Sequence, residues 1–599
     1  MPSVQLQPDQ TPVGVLSRVA EFSGLGGRFA PVDKVRDLYR RVQRSPEGFR
    51  LEGLLAEMRV NLRVNSADRS RIPATGPVVV VANHPNGVLD GAILTVLLTC
   101  VRPDVKLLTN FLLSDIPELQ KHCIFVDSFQ TDGSAESNRR ALREALAWLH
   151  LGGMLAIFPA GDDGHWQMPA GQFADPAWSD TAVRLIRRTH ATALPVFFCG
   201  RNSVGFQILG MIHPKLRSAF LLQEFLQQEG KEVEVRVGGA IPANAIDSVA
   251  DDGEAIDYLR WRTYLLARRS KSEISGPPSL RSRLASKIQQ PVATAVQPEL
   301  LEREIESLPA DRCLAENSEF AVYHATACEI PNLLLELGRV SELTFRRAGE
   351  GTGKKRDLDS FDAYYRQVLL WSKTKHELIG GYRAGSTSEI LAERGVAGLY
   401  TSTLFRYDDS LFQKLGPALE LGRSFVRPEY QRQYAPLLLL WKGIAHLVAT
   451  RPEIPVLFGA VSISNDYNEA SREMIYRFFE ARMMDDDLAG LIEPRRPFRP
   501  GFLRRWDCRS MCRALRDLDE LSQPITDIES DGKGLPILLR QYAKIGGKLL
   551  GFNVDRKFSN VLDGLVVVDL RQTEPAVLER YMGREAAANF RNIHRLVTA

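Results

Sequence analysis

The segment VVVVANHPNGVLDG, residues 78–91, puts a histidine and an aspartate in one short turn, with His84 just after a β-branched run and Asp90 a few residues on. A neutral imidazole can take a hydroxyl proton near neutral pH. A carboxylate on its other ring nitrogen fixes the tautomer and steadies the imidazolium. Gly87 lets the chain fold back over the interval, and Pro85 restricts the backbone after the histidine. Taken alone, the turn fits equally well a plain helix start, in which Asp90 opens GAILTVLLT and His84 bonds to backbone.

These residues need a strand to present them. VVVVA reads as a buried strand, and GGMLAIFPAGDDG, residues 152–164, again runs an apolar strand into a turn bearing proline, glycine and acids. That is how α/β folds display groups at the carboxyl ends of strands. Strand patterns such as VEVRVGG alternate with helical ones such as SNRRALREALAWLH up to about residue 268, the signature of an α/β layer fold. After it, residues 269–305 are basic, proline-bearing and poor in aromatics, and read as a linker with one helix near LRSRLASKI. A new globular pattern fills 306–599, and residues 1–75 read as an amino-terminal helical segment.

The two turns together resemble the glycerolipid acyltransferase superfamily. Asn83, His84 and Asp90 match its Asn-His…Asp motif, with the longer spacing of the hemolysin-like branch that includes O-acyltransferases of aminolipid synthesis. Phe158, Pro159 and Gly161 match its Phe-Pro-Glu-Gly motif, with Ala160 in place of the glutamate and Asp162 and Asp163 following. IFVDSF with Asn138, Arg139 and Arg140 is similar to the second motif, and ALPVFFCGRNSVGF, reaching Arg201, Asn202 and Ser203, to the fourth. The resemblance implies His84 as general base with Asp90 orienting it. It implies substrate contacts from Asn83, Gly87, Arg139, Phe158, Pro159, Gly161, Asp162, Arg201 and Asn202. The arginines also fit a plain solvated surface.

In the second half, strand, polar turn, strand, basic loop, long helix and strand follow in the order of a Gcn5-related N-acyltransferase. The fold class expected for the chain is thus α/β in both halves. LELGRSFVRPEY followed by LLLLWKGI resembles the ornithine N-acyltransferase family, related to autoinducer synthases, and Asp359, Phe361, Asp362 and GGYR with Arg383 match its upstream pattern. The loop PEYQRQYAP lacks the glycines of a coenzyme A signature, which favours acyl carrier protein as donor over acyl-coenzyme A. No tightly bound cofactor is expected. Glu420 could relay a proton from the attacking amine and Arg423 could pair with an acceptor carboxylate; equally, the two could form a structural ion pair with each other. Asp359 and Asp362 also fit an exposed acidic loop. Arg432 is a candidate contact for carrier phosphopantetheine. The resemblance makes Asp555 and Asp563 candidates for a cationic side chain, while Asp563-Gly564 reads more readily as a turn cap.

A length of 599 residues exceeds one ordinary core, and 44% hydrophobic with 25% charged residues is ordinary globular composition. A net charge of +3 gives no reason to invoke nucleic acid. Seven scattered cysteines, Cys508 and Cys512 among them, suit buried thiols in a reducing cytosol, and the acids and histidines show no metal-ligand spacing. No apolar run reaches the roughly 20 residues of a membrane-spanning helix. Peripheral contact with the inner face of the cytoplasmic membrane is expected for a lipid enzyme. VDKVRDLYRRVQRS, with Arg36, Arg40, Arg41 and Arg44, is either an interfacial helix or an ordinary amphipathic helix packed on its own domain.

Together the halves resemble the fused, bifunctional ornithine lipid synthases of bacteria. The resemblance implies that the second half acylates the α-amine of ornithine with a 3-hydroxyacyl group and the first half then acylates the 3-hydroxyl. Other readings are the same chemistry on glycine or another amino acid, a lysophospholipid O-acyltransferase, and a first half that only docks to membrane.

Overall fold

The computed structural model describes residues 30–46, 49–110, 114, 116–126, 134–160, 177–200, 225–269, 289–501 and 515–595. Gly161, Asp162, Asp163, Arg201, Asn202, Cys508, Cys512 and the LRSRLASKI stretch lie outside the described residues. The chain divides into two compact units, 1–269 and 270–599.

The first unit is built on β1 (Asn61–Arg63), β2 (Val78–Ala82), β3 (Val105–Asn110), β4 (Cys123–Val126), β5 (Met154–Ile157), β6 (Thr192–Cys199) and β7 (Glu232–Val237), in the sheet order β1-β7-β6-β2-β5-β3-β4. Only β6 and β7 pair antiparallel. A strand covered on both faces needs side chains that pack both ways, and every residue of β2 is buried. β1 falls in the stretch read as an amino-terminal helical segment, yet its pairing with β7 makes it part of this sheet. The helix Ala30–Gln43 buries Leu38 and Val42 in the same core as β2. Its apolar stripe therefore packs on its own unit, leaving only the arginine-bearing face for any membrane contact.

The second unit is built on β8 (Cys313–Glu316), β9 (Phe320–Ala325), β10 (Arg366–Ser372), β11 (Glu377–Ser386), β13 (Ala418–Val426), β14 (Val456–Ile463), β16 (Lys548–Asp555) and β17 (Val561–Asp569). They form one sheet in the order β16-β17-β14-β13-β11-β10-β9-β8. The short β12 (Phe405–Tyr407) and β15 (Ile492–Pro494) pair separately. The helix Pro298–Ser307 adds Leu301 and Ile305 to the core under the helix Pro331–Arg347, so the unit starts before residue 306, inside the stretch read as linker. No helix among the described residues is long and apolar enough to cross a membrane.

One junction shapes this sheet. β13 and β14 run parallel but pair only at Ala418–Glu420 against Val456–Phe458, and then part. At the parting point a Cβ on Gly459 would stand 2.0 Å from the Leu421 carbonyl oxygen, so only glycine lets the strands meet and diverge there. Gly459→Ala is expected to cost about 1–3 kcal/mol through forced separation of the strands. Thermal melting of the whole chain would show this as a lowered transition, and an unchanged melt would remove the glycine requirement.

Candidate active sites

In the first unit β2, β5 and β6 are parallel neighbours, so their carboxyl ends meet at one edge. The Asn83 side chain continues the sheet where β2 ends: its Nδ2 donates to the Phe198 carbonyl at 3.0 Å and its Oδ1 accepts from the Phe198 amide at 2.7 Å. Gly87, at φ 61° and ψ −137°, then turns the chain into the helix Val88–Thr99. Asp90 lies in the first turn of that helix, fully buried, where the helix dipole favours a carboxylate.

His84 Nδ1 lies 3.3 Å from Asp90 Oδ2, close but not aligned as a hydrogen bond. Nδ1 is itself buried while the side chain is 35% exposed, so the open part of the ring faces away from the carboxylate. The ring stacks on Phe158, at 4.1 Å between centroids and 24°. Phe158 follows β5 directly, and buried Pro159 turns the chain after it. Two groups from different strands thus hold one imidazole with a free edge, which is what proton abstraction needs.

Asn86 completes the arrangement and was not singled out from the sequence. Its amide N–H donates to Asp90 Oδ2 at 2.7 Å and its Nδ2 to Oδ1 at 2.8 Å, so both carboxylate oxygens are held from one residue. An asparagine four residues before an aspartate that begins a helix is the signal that was available. Arg139 sits on the exposed face of the helix Ser134–His150.

In the second unit the sequence-predicted acids and arginines come together, in a pattern that differs from the expected one. Asp359 and Asp362 cap the short turn Ser360–Ala363 reciprocally, Asp359 accepting from the Phe361 amide and Asp362 from the Asp359 amide. They are not an exposed acidic loop. Arg423 Nη1 bonds Asp362 at 2.5 Å, its Nη2 reaches Asp359 at 3.2 Å, and its Nε lies 3.2 Å from Asp357. Arg383 bonds Asp359 at 2.7 Å and lies against the rings of Phe361, Tyr365 and Tyr400. Burial opposes ionisation of Asp362, but Arg423 and Arg383 outweigh it and hold the carboxyl below its usual range. Arg423 is also backbone-strained, at φ 45°, where the β11–β13 ladder skips it.

Glu420 does not pair with Arg423. Its oxygens accept from the Tyr365 hydroxyl, from the Thr401 amide at 2.7 Å and from the Tyr400 amide at 3.2 Å, at 1% exposure. The expected Glu–Arg pair is therefore corrected: each ion has its own partners, because strand alternation and the bulge at Arg423 send the two side chains to different neighbours. Asp563 is corrected as well. It is no turn cap but the middle of β17, paired with Ser462 on one side and Asn553 on the other, and 6% exposed. Asp555 ends β16 beside it in the sheet, half-buried. Arg432 is exposed on the loop before the helix Tyr434–Ala449.

The helix Tyr434–Ala449 borders a small apolar cleft lined by Trp441, Ile444, Leu457, Leu578, Tyr581 and Met582. A more polar cavity of about 190 Å³, walled by Arg366, Glu389 and Arg451, lies by Leu419 at the start of β13 and includes none of the candidate residues.

Comparison with known proteins matches residues 56–272 to a family described as acyltransferase and residues 340–442 to one described as acetyltransferase (GNAT) domain. A glycine N(alpha)-acyltransferase of Bacteroides thetaiotaomicron is 30% identical over 293 residues, covering 46% of this chain and 85% of that protein. A lyso-glycine lipid O-acyltransferase of Phocaeicola vulgatus is 26% identical over 214 residues, covering 35% of this chain and 74% of the relative. An L-ornithine N(alpha)-acyltransferase of Rhizobium meliloti is 25% identical over 250 residues, covering 40% and 76%.

Proposed function

From the premise that this chain belongs to the family of the Bacteroides thetaiotaomicron glycine N(alpha)-acyltransferase, and is an acyltransferase, we propose that it builds a diacylated aminolipid in two steps. The second unit transfers a 3-hydroxyacyl group from acyl carrier protein to the α-amine of ornithine. The first unit then acylates the 3-hydroxyl, with His84 taking the hydroxyl proton as the oxygen attacks the thioester and Asp90 steadying the ring.

The observation that carries this reading is the similarity of one chain both to amino-acid N-acyltransferases and to an O-acyltransferase of a lyso-aminolipid. Ornithine as acceptor is supported by acids on one face of the second unit. Glu350 and Asp563 have no lysine or arginine bonded to them among the described residues, Asp555 accepts only from the Lys557 backbone amide, and a dibasic acceptor brings two ammonium groups at neutral pH. Glycine is the second reading, favoured by the higher identity to the glycine enzyme. The carrier as donor is supported by exposed Arg432 beside a helix amino terminus, a natural seat for the carrier's phosphate. The chain would work at the inner face of the cytoplasmic membrane, where the lyso product resides, and keeping both reactions on one polypeptide raises the local concentration of that intermediate.

Lipid mass spectrometry on a bacterial host without aminolipids, expressing the whole chain, tests this. A new diacylated ornithine lipid is expected. A glycine headgroup would correct the acceptor and keep the mechanism, and no new aminolipid would overturn the reading.

A further inference from the structure

An ammonium group must shed a proton before its nitrogen can attack a thioester. Glu420 is badly placed to take it, since its oxygens already accept from Tyr365, Tyr400 and Thr401. Another carboxyl pair, Asp563 on β17 and Glu350 in the turn after a helix, is open. Glu350 follows the helix Pro331–Arg347, where Gly349 at φ 72° turns the chain and the Glu350 amide closes on the Phe345 carbonyl at 2.7 Å. Its Oε2 accepts from the Ser462 hydroxyl at 3.0 Å, and the residue is 6% exposed. Ser462 is the cross-strand partner of Asp563, so the serine hydroxyl and the Asp563 carboxyl share one face. Asp563 is equally buried, and among the described residues its carboxyl has no hydrogen-bond or ion-pair partner.

The placement matters as much as the burial. Ser462 on β14 and Ser424 on β13 each stand four residues past the last parallel pair, Glu420 with Phe458. Ser462 is therefore level with the bulge at Arg423 and Ser424, where the two strands no longer pair. Burial, with Asp466 adding to it and Ser462 opposing, brings the Glu350 carboxyl up to about 7, and burial with Asp555 and Glu350 holds Asp563 well above the carboxylate range. The titratable groups facing Glu350 are Asp466 and Tyr467 after β14 and Asp563 on β17, and the nearest cation to them, Lys533, lies over the Tyr467 ring and against the Asp466 carbonyl, paired with Glu529 and Asp531 and not with Glu350. Two buried carboxyls with no cation bonded to either among the described residues are what a cation site looks like before its cation arrives.

We propose that Glu350 is a catalytic base of the N-acylation: with Asp563 it receives the acceptor's ammonium group, held in place by Ser462, and takes the proton that frees the nitrogen. This rests on the N-acylation reading above. The N–H bond breaks toward the Glu350 carboxylate, leaving its electron pair on nitrogen. That pair forms the N–C bond at the thioester carbonyl. The tetrahedral adduct then expels the thiolate, which leaves as thiol with the second nitrogen proton, and Glu350 returns its proton to water.

The test is N-acylation by the purified full chain between pH 5.5 and 9.5, with 3-hydroxyacyl carrier protein and either ornithine or glycine. Wild type is expected to gain kcat/KM through a limb near pH 7. Glu350→Gln should lose about 100-fold or more at pH 7, with the deficit narrowing toward pH 9.5 as free amine becomes plentiful. Ser462→Ala should have its limb displaced upward, because the hydroxyl that stabilises the Glu350 carboxylate is gone. A Glu350→Gln enzyme with the wild-type rate and profile overturns the role. Should that variant fail to melt cooperatively, an unmoved limb in Ser462→Ala overturns it instead. Wild type without N-acyl product from either amino acid overturns the N-acylation reading itself.

Discussion

His84→Ala is expected to stop the second acylation and leave the first running, so that the monoacylated aminolipid accumulates. Loss of a positioned general base costs about 10²–10⁴-fold in rate. The substitution should barely disturb the fold, because the imidazole makes no aligned hydrogen bond and is partly exposed. Asp90→Asn is the harsher change. Asn86 presents two N–H donors to the two carboxylate oxygens, and an asparagine has only one acceptor oxygen to meet them. A buried mismatch of that kind costs about 1–3 kcal/mol, in addition to the lost orientation of the ring. Lipid profiles and melting curves of the two variants separate the effects: His84→Ala loses diacyl product at unchanged stability, and Asp90→Asn loses both. Undiminished diacyl product from His84→Ala would take the histidine out of the base's role.

Arg423→Met is expected to be the most damaging change in the second unit. The guanidinium is 5% exposed and lies among three carboxylates, so removing it leaves buried negative charge with only Arg383 to offset it. Breaking a buried ion cluster from one side costs about 3–5 kcal/mol. The pH dependence follows from Asp362. Its folded-state pKa is depressed, so its contribution is present above the unfolded value, ~3.9, and is lost as pH falls through the folded one. Without Arg423, burial gains weight against one remaining arginine and the carboxyl shifts upward. The acid-unfolding midpoint of the variant should therefore lie above that of wild type. Melting curves from pH 3 to 7 would reveal it, and an unmoved midpoint would mean that the three acids are stabilised by other means.

The first site was legible in the sequence because its chemistry is local. Asn83, His84, Gly87 and Asp90 fall within one turn, and a fully apolar strand before them can only be a buried one. What lay outside local pattern was the stacking of His84 on Phe158, since those rings meet only because β2 and β5 are parallel neighbours. In the second unit the residue types were conspicuous, but not their partners. Arg423 finds Asp357, Asp359 and Asp362 from before β10, and Glu420 finds Tyr365, Tyr400 and Thr401 instead of the arginine three positions away.

Asp563 and Glu350 mark the limit most clearly. Asp-Gly is a strong local turn signal, yet strand pairing on both sides overrode it and buried the carboxyl in the sheet. Glu350 has no motif around it at all. By itself the sequence determined two α/β acyltransferase units and the closeness of His84 and Asp90 in the first, since strand burial, turn chemistry and residue spacing act over a few positions. Only the tertiary structure decided which buried charges are neutralised and which stand open, because that depends on side chains brought face to face by strands distant in the chain.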